Sequence, residues 1–226
     1  MLRIGIFLAK LFLWFVGLSL ALVLLFRFVP PPVTATMLMD SNGITKDWES
    51  LGNIDRNLVS AVIAAEDGKF CSHDGFDREA IEAAFRRNMA GGGVIRGGST
   101  ISQQTAKNVF LWQGTGWTRY ARKGLETWFT FLIEQIWGKR RIMEVYLNVA
   151  ETGIGTYGAE AGAQRYFGHS AARLTQTEAA RMAAALPLPK ERSVVNPVGF
   201  TRRYGNTIAA RMGVVRRDGL DACVYR

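Results

Sequence analysis

The sequence predicts a mainly α-helical domain carried on a single N-terminal transmembrane helix. Three observations support that reading. Residues 4–28 are almost wholly apolar, eight later segments repeat apolar residues at helical spacing, and few stretches alternate as half-buried strands do. Within the first segment, residues 11–26 carry no charge. With Lys10 and Arg27 snorkelling at its ends, the span reaches the roughly 20 residues that cross a bilayer. The run ends in Arg27, Pro30, Pro31 and Pro32 without an A-x-A-like cleavage site, so an uncleaved anchor is read in preference to a signal peptide. Arg3 and Lys10 precede the centre of the span and favour a cytoplasmic N-terminus.

The elements follow in order. Residues 1–29 form the cytoplasmic tip and anchor, and residues 30–50 a linker or juxtamembrane segment. That segment begins with the stiff proline spacer and has irregular or short β structure over 33–45. Helical periodicity then covers 58–65, 79–89, 100–110, 118–137, 139–150, 159–167, 177–186 and 204–215. Gly-rich or Pro-containing loops at 90–98 and 187–197 separate them. The 226 residues carry a formal charge of +9, and no acidic residue precedes residue 30. A basic domain tethered at a membrane suits anionic headgroups or a phosphate-bearing substrate, and the anchor argues against nucleic acid. The two cysteines, Cys71 and Cys223, fit one disulfide or two free thiols.

Three segments hold residues that chemistry rather than packing calls for. Glu66, Asp67, Phe70, His73, Asp74 and Asp77 crowd the end of the 58–65 helix, where one cap and a glycine would suffice. His-Glu-x-x-His is absent, and so is a calcium loop, which leaves a partly buried general acid or base at Glu66. Asp67 and His73 also suit a loop brace. On a helix from residue 100, Thr100, Gln103, Gln104 and Lys107 share one face, a stripe that fits an oxygen-rich ligand. Thr100 with Gln103 equally fits a capping box. The glycine-rich loop 90–98 before it is not a Walker loop and reads as a gate or a plain connection. Arg122 and Lys123 flank Glu126 at helical spacing on a segment apolar on most sides, as a buried central helix is. Charges on such a helix face a cleft, where two cations grip a pyrophosphate and the carboxylate orients them or binds a cation.

Together these segments resemble the peptidoglycan glycosyltransferases of family 51, the polymerase domain type of class A penicillin-binding proteins. Glu66, Asp67, Phe70, His73 and Gly75 match the first motif. Gly97, Ser99, Thr100, Gln103, Gln104, Lys107 and Asn108 match the second, and Arg122, Lys123 and Glu126 the third. Lys139, Ile142, Glu144, Tyr146, Leu147, Asn148, Gly153, Gly158, Tyr166 and Phe167 are similar to the fourth. Glu178 with Asn196-Pro197 resembles a looser fifth. The motifs span 51–197 within a domain over 51–226.

The resemblance implies a lysozyme-like, two-lobed helical domain that polymerises glycan strands from lipid II, with inversion to β-1,4 linkages. It implies Glu66 as the base toward the acceptor 4-hydroxyl and Glu126 as the second carboxylate. It implies Asp67, Phe70, His73, Ser99, Thr100, Gln103, Gln104, Lys107, Asn108, Arg122, Lys123, Lys139, Tyr146 and Asn148 as substrate contacts. A divalent cation, Mg or Mn, is implied on the Glu66 or the Glu126 side of the pyrophosphate, with no organic cofactor. Partners implied are lipid II, the nascent strand, the membrane and other cell-wall synthesis or division proteins, with the domain outside the cytoplasmic membrane. The 107–122 segment runs longer than the family pattern, and Gly162, His169 and Val195 depart from its usual residues. No serine has a lysine three residues on, and 29 residues follow Pro197, so no transpeptidase domain is expected. The alternatives are a peptidoglycan-cleaving lysozyme-like enzyme, which has no need of the Lys107, Arg122, Lys123 cluster, and a non-catalytic cell-wall scaffold.

Overall fold

The computed structural model describes residues 2–89, 98–113 and 116–225. The 90–98 loop, read as a gate or a plain connection, therefore lies outside the described residues, except for Gly98. In chain order the helices are α1 (Leu2–Phe28), α2 (Ala35–Leu38), α3 (Arg56–Glu66), α4 (Arg78–Met89), α5 (Ile101–Phe110), α6 (Thr118–Ile136), α7 (Lys139–Val149), α8 (Ala159–Phe167), α9 (Gln176–Ala185), α10 (Gly199–Arg217) and α11 (Ala222–Tyr225). Three short strands, β1 (Thr45–Lys46), β2 (Glu151–Gly153) and β3 (Thr156–Tyr157), form a sheet in the order β1-β3-β2. β1 runs parallel and β2 antiparallel to β3.

Two helix groups make the core. α3 is capped by Asp55, whose carboxylate accepts from the Asn57 amide at 2.7 Å. Leu58, Val59, Ser60, Ala61, Val62 and Ile63 are all buried, so α3 is a central helix, packed between α9 and α10. α9 presents Ala179, Ala180, Ala183, Ala184 and Ala185 to that core, and small side chains let helices approach closely. The second group sets α5 against α6 and α7. There Phe110 stacks on Phe129 at 4.5 Å between centroids, the kind of pair worth about 0.5–1.5 kcal/mol beyond its buried area.

The anchor is docked on the domain and does not simply lead into it. α1 is long and apolar enough to cross a membrane, and Leu11, Trp14 and Leu18 stay exposed along it. Its later turns bury Ser19 and Val23. The Trp137 indole donates to the Val23 carbonyl at 2.8 Å, and Arg141 donates to the carbonyls of Phe26 and Val29, each at 3.1 Å. Phe15 packs on Trp128, with centroids 6.1 Å apart. The apolar girth of α6, read from the sequence as that of a buried central helix, packs against two partners, α5 and the anchor.

Residues 30–50 are likewise integrated, where the sequence suggested a spacer. Thr36 and Met37 are buried, Thr36 donates to the Leu111 carbonyl at 3.2 Å, and Lys46 reaches the Pro32 carbonyl at 3.0 Å. The 204–215 helix begins a turn earlier, at Gly199, and the β2–β3 hairpin and α11 carried no periodicity strong enough to be read.

The cysteines pair. Cys71 and Cys223 form a disulfide with Cα atoms 5.5 Å apart, tying the turn after α3 to α11 across a separation of 152 residues.

Candidate active site

Glu66 is the last residue of α3, and the chain turns sharply at Asp67. The consecutive carboxylates therefore point into different surroundings. Asp67 is buried and fully engaged: the His73 Nε2 lies 2.9 Å from Oδ1, and the Ile101 amide at the start of α5 donates to Oδ2 at 3.0 Å. The Gly75 amide donates to His73 Nδ1 at 3.1 Å, which leaves the ring proton on Nε2 to be donated to Asp67. A carboxylate at a helix N-terminus is favoured by the exposed amides and the helix dipole. Gly75 itself has φ +87°, and a Cβ there would sit 2.8 Å from Thr130 Cγ2, so only glycine fits this turn.

Further motif residues complete the same brace. The Thr100 hydroxyl donates to the Gly75 carbonyl at 2.6 Å and caps α5 in a capping box with Gln103, whose side chain accepts from the Thr100 amide at 3.0 Å. Lys139 donates to the His73 carbonyl at 2.6 Å and to Glu134 at 2.7 Å, with its ammonium 4.7 Å from the centroid of the buried Phe70 ring. Asn148 accepts from the Glu49 amide and donates to the Glu49 and Glu144 carbonyls, each at 2.8 Å. Asp67, Phe70, His73, Thr100, Gln103, Lys139 and Asn148 thus have their polar or packing capacity spent inside the fold. For these seven, expected from the motifs as substrate contacts, the geometry shows a supporting role within the fold. Of the α5 stripe, Gln104 and Lys107 line the cavity beside Glu66.

Glu66 has a different environment. Its carboxylate accepts one hydrogen bond, from the Gln104 amide at 2.8 Å, and the Tyr146 hydroxyl lies 3.4 Å from the Gln104 carbonyl oxygen. This short chain fixes which way the Gln104 amide faces. Burial pushes the Glu66 carboxyl above the ordinary carboxylate range, against the Gln104 hydrogen bond and the positive charges of Arg192 and Lys107. Burial also holds the Tyr146 hydroxyl well above its usual value, so it stays a neutral donor.

The cations gather beside it. Lys107 is pushed below the usual lysine value by burial, with Glu126 and Glu66 opposing and Arg122 and Lys123 reinforcing the shift. That set of neighbours places all five charged residues in one electrostatic site. Glu126 is buried on α6 and paired with Lys123, whose ammonium also lies 3.2 Å from the Ser99 hydroxyl. Arg122 Nε is buried and has no hydrogen-bond partner among the described residues. On the far side of Lys107, a cavity of about 360 Å³ is lined by Gln104, Lys107, Asn108, Tyr146, Glu151 and the 186–191 turn.

Sequence reasoning missed two supports of Glu66. The Tyr204 hydroxyl of α10 donates to the Ala65 carbonyl at 2.9 Å, pinning the end of α3. Arg192 donates to the Ala184 carbonyl at 2.7 Å and lies over the Phe200 and Tyr204 rings at 5.3 and 5.9 Å. Neither stands within a motif, and only the packing of α3 between α9 and α10 brings them near.

The family model described as Transglycosylase matches residues 34–213. Among similar proteins, the biosynthetic peptidoglycan transglycosylase of Caulobacter vibrioides is 53% identical over 220 residues, which is 96% of this chain and 94% of that one. Its namesake from Rhodospirillum centenum is 50% identical over 92% of this chain and 91% of its own length. The protein of that name from Pseudomonas aeruginosa is 46% identical, covering 90% of each. The helical architecture agrees with the lysozyme-like domain that the motifs implied. A model match over most of the chain, joined to near-full-length identity of this size, places the protein in the transglycosylase family, to which it belongs.

Proposed function

We propose that this protein polymerises peptidoglycan glycan strands, taking lipid II as substrate and releasing undecaprenyl pyrophosphate. The observation that carries the reading is the buried Arg122 Nε, without a hydrogen-bond partner among the described residues, set in a cation group beside a partly desolvated carboxylate. Unspent buried donors cost free energy unless a ligand takes them. A pyrophosphate has the charge and the oxygens to do so.

In this reading Glu66 accepts the proton of the acceptor 4-hydroxyl as that oxygen bonds to the donor anomeric carbon. The bond from that carbon to the pyrophosphate oxygen breaks, and the leaving group takes the electron pair. Attack opposite the leaving group inverts the centre and gives a β-1,4 linkage. Lys107, Arg122 and Lys123 stabilise the charge developing on the pyrophosphate, the preorganised electrostatic term that is usually largest in catalysis. Gln104 and Tyr146 hold Glu66 in line, and Ser99 and Asn108 border the ligand.

No group of three or more metal-ligating side chains lies together among the described residues, so a cage built by the protein is not the expected form. A Mg²⁺ or Mn²⁺ ion fits as Mg²⁺ commonly binds, through one carboxylate and substrate phosphates, with Glu126 the carboxylate nearest the cation group. Such an ion would add positive charge at the leaving group. The disulfide suits an oxidising compartment, and the anchor has its early basic residues at the N-terminus. Both support a domain on the outer side of the cytoplasmic membrane.

Labelled lipid II incubated with the detergent-purified full chain tests the reading. High-mass glycan from the wild type is expected. Lipid II left unpolymerised, or preformed glycan shortened instead, would overturn it in favour of the scaffold or the cleaving enzyme.

A further inference from the structure

Glu151 lines the same cavity as Lys107 and takes no part in the steps above. It is the first residue of β2, and its backbone pairs with Tyr157 of β3, so its position is fixed by the sheet. Its nearest cation, Lys190, is shared with Asp40. The Lys190 ammonium lies 3.0 Å from Asp40 Oδ2, and the Tyr157 hydroxyl donates to that same oxygen at 2.6 Å. Lys190 is also 3.4 Å from Glu151 Oε1, an ion-pair distance without hydrogen-bond geometry. Oε1 is buried and has no hydrogen-bond partner among the described residues, while the side chain as a whole is 17% exposed, open to the cavity.

A buried carboxylate oxygen whose one close contact is a long ion pair to Lys190 keeps acceptor capacity, which a donor from a ligand in the cavity can use. The same cavity wall carries Gln104 and Lys107, which border Glu66. The charge pattern decides what reaches Glu151. A carboxylate repels pyrophosphate, which belongs with Lys107, Arg122 and Lys123. The Glu151 end suits the neutral, donor-rich part of the same substrate: sugar hydroxyls, acetamido N–H groups or peptide N–H groups.

We infer that Glu151 is a substrate-binding residue of this cleft, accepting through Oε1 a hydrogen bond from an N–H or O–H group of the saccharide-peptide. The inference rests on the polymerase reading and adds to it a residue that lies within the span of the fourth motif but is not one of its matched positions. It also gives the cleft a polarity, with anionic leaving group at one end and neutral hydrogen-bond donors at the other.

The test is steady-state polymerisation by the full-length protein in detergent, comparing wild type, Glu151→Ala and Glu151→Gln on lipid II. A hydrogen bond to a charged acceptor predicts that Glu151→Ala raises KM about 10-fold or more with kcat nearly unchanged. The side-chain carbonyl in Glu151→Gln still accepts, so that variant should recover most of the loss. An unchanged KM in Glu151→Ala would overturn the inference. Equal impairment of the two variants would also overturn it, because the ion pair with Lys190 would then be what matters. Melting temperatures of both variants guard against misfolding; Glu151→Gln keeps the shape of the side chain and carries the test if Glu151→Ala unfolds. Lipid II lacking its stem peptide locates the donor. A KM penalty in Glu151→Ala that persists on it assigns the contact to the sugars, and one that vanishes assigns it to the peptide. Wild-type protein that makes no polymer sinks the polymerase reading and this inference together. Polymer from the wild type with unaltered Glu151→Ala sinks this inference alone.

Discussion

Glu66 and Asp67 are neighbours in the chain, yet one belongs to an open cleft and the other to a closed brace. Asp67 takes donors from His73 and the start of α5, and the surrounding Thr100, Gln103 and Lys139 are bonded to the same turn. Among the described residues Glu66 takes one amide hydrogen bond and faces cations whose donors are not all used. The brace converts polar residues into rigidity. The cleft leaves polar capacity unspent at a cost, in the way proteins hold strain and incomplete solvation at functional sites. The two regions should therefore respond differently to substitution: stability and activity fall together in the brace, and activity alone falls in the cleft.

The largest effect expected from breaking the brace is that of Asp67→Ala. It strands the His73 and Ile101 donors in a buried place, which costs about 3 kcal/mol. Thermal unfolding should show a drop of roughly 6–12 °C, by the scaling for a domain of this size. An unchanged midpoint would mean that Asp67 is not a brace. Next comes the disulfide, which ties the same turn to α11. Replacing Cys71 and Cys223 by serine should lower stability by about 2–4 kcal/mol, read by denaturant titration.

On the cleft side, Lys123→Ala should reduce kcat/KM for lipid II by roughly 10- to 100-fold, the range for a charge-assisted contact of about 1.5–3 kcal/mol. Its midpoint should fall by a few degrees at most, since the buried Glu126 carboxylate loses its ion-pair partner but keeps Lys107 nearby. A matching loss of stability would move Lys123 into the supporting frame.

The smallest effect concerns pH. Burial raises the Glu66 carboxyl, so the folded protein holds that proton more tightly than the unfolded chain does. The group favours the folded state below the ordinary carboxylate value, and that contribution is lost as pH rises through the raised one. Glu66→Gln should then melt slightly above wild type at neutral pH and converge with it in acid. The acid limb of wild-type turnover should also lie above the ordinary carboxylate value.

The contrast explains what could be read in the sequence. Helices announced themselves wherever one face was apolar, as in α5, α7 and α8. The sheet did not, because strands of two or three residues carry no period. The role of residues 30–50 depended on contacts with β3 and Leu111, far along the chain. At the site, local spacing put Thr100, Gln103, Gln104 and Lys107 on one stripe, and spacing cannot say which of them turn inward to cap. Glu66 and the Arg122, Lys123, Glu126 group were legible because charge on apolar helices is costly and hence informative. Arg192, Tyr204 and Glu151 were not, since each joins the cleft only through packing between distant helices or the hairpin. The cysteine pairing was equally invisible at a separation of 152 residues.

The most direct test pairs Glu66→Gln with Asp67→Asn in the full-length protein, measuring lipid II polymerisation and melting temperature for each. Glu66→Gln should lose about 10²- to 10⁴-fold in turnover, the usual contribution of a general base, while melting at or above wild type. Asp67→Asn should melt lower and lose activity only in step with its fold. If Glu66→Gln keeps its turnover, or if Asp67→Asn keeps its stability and loses turnover, the division between cleft and brace is wrong.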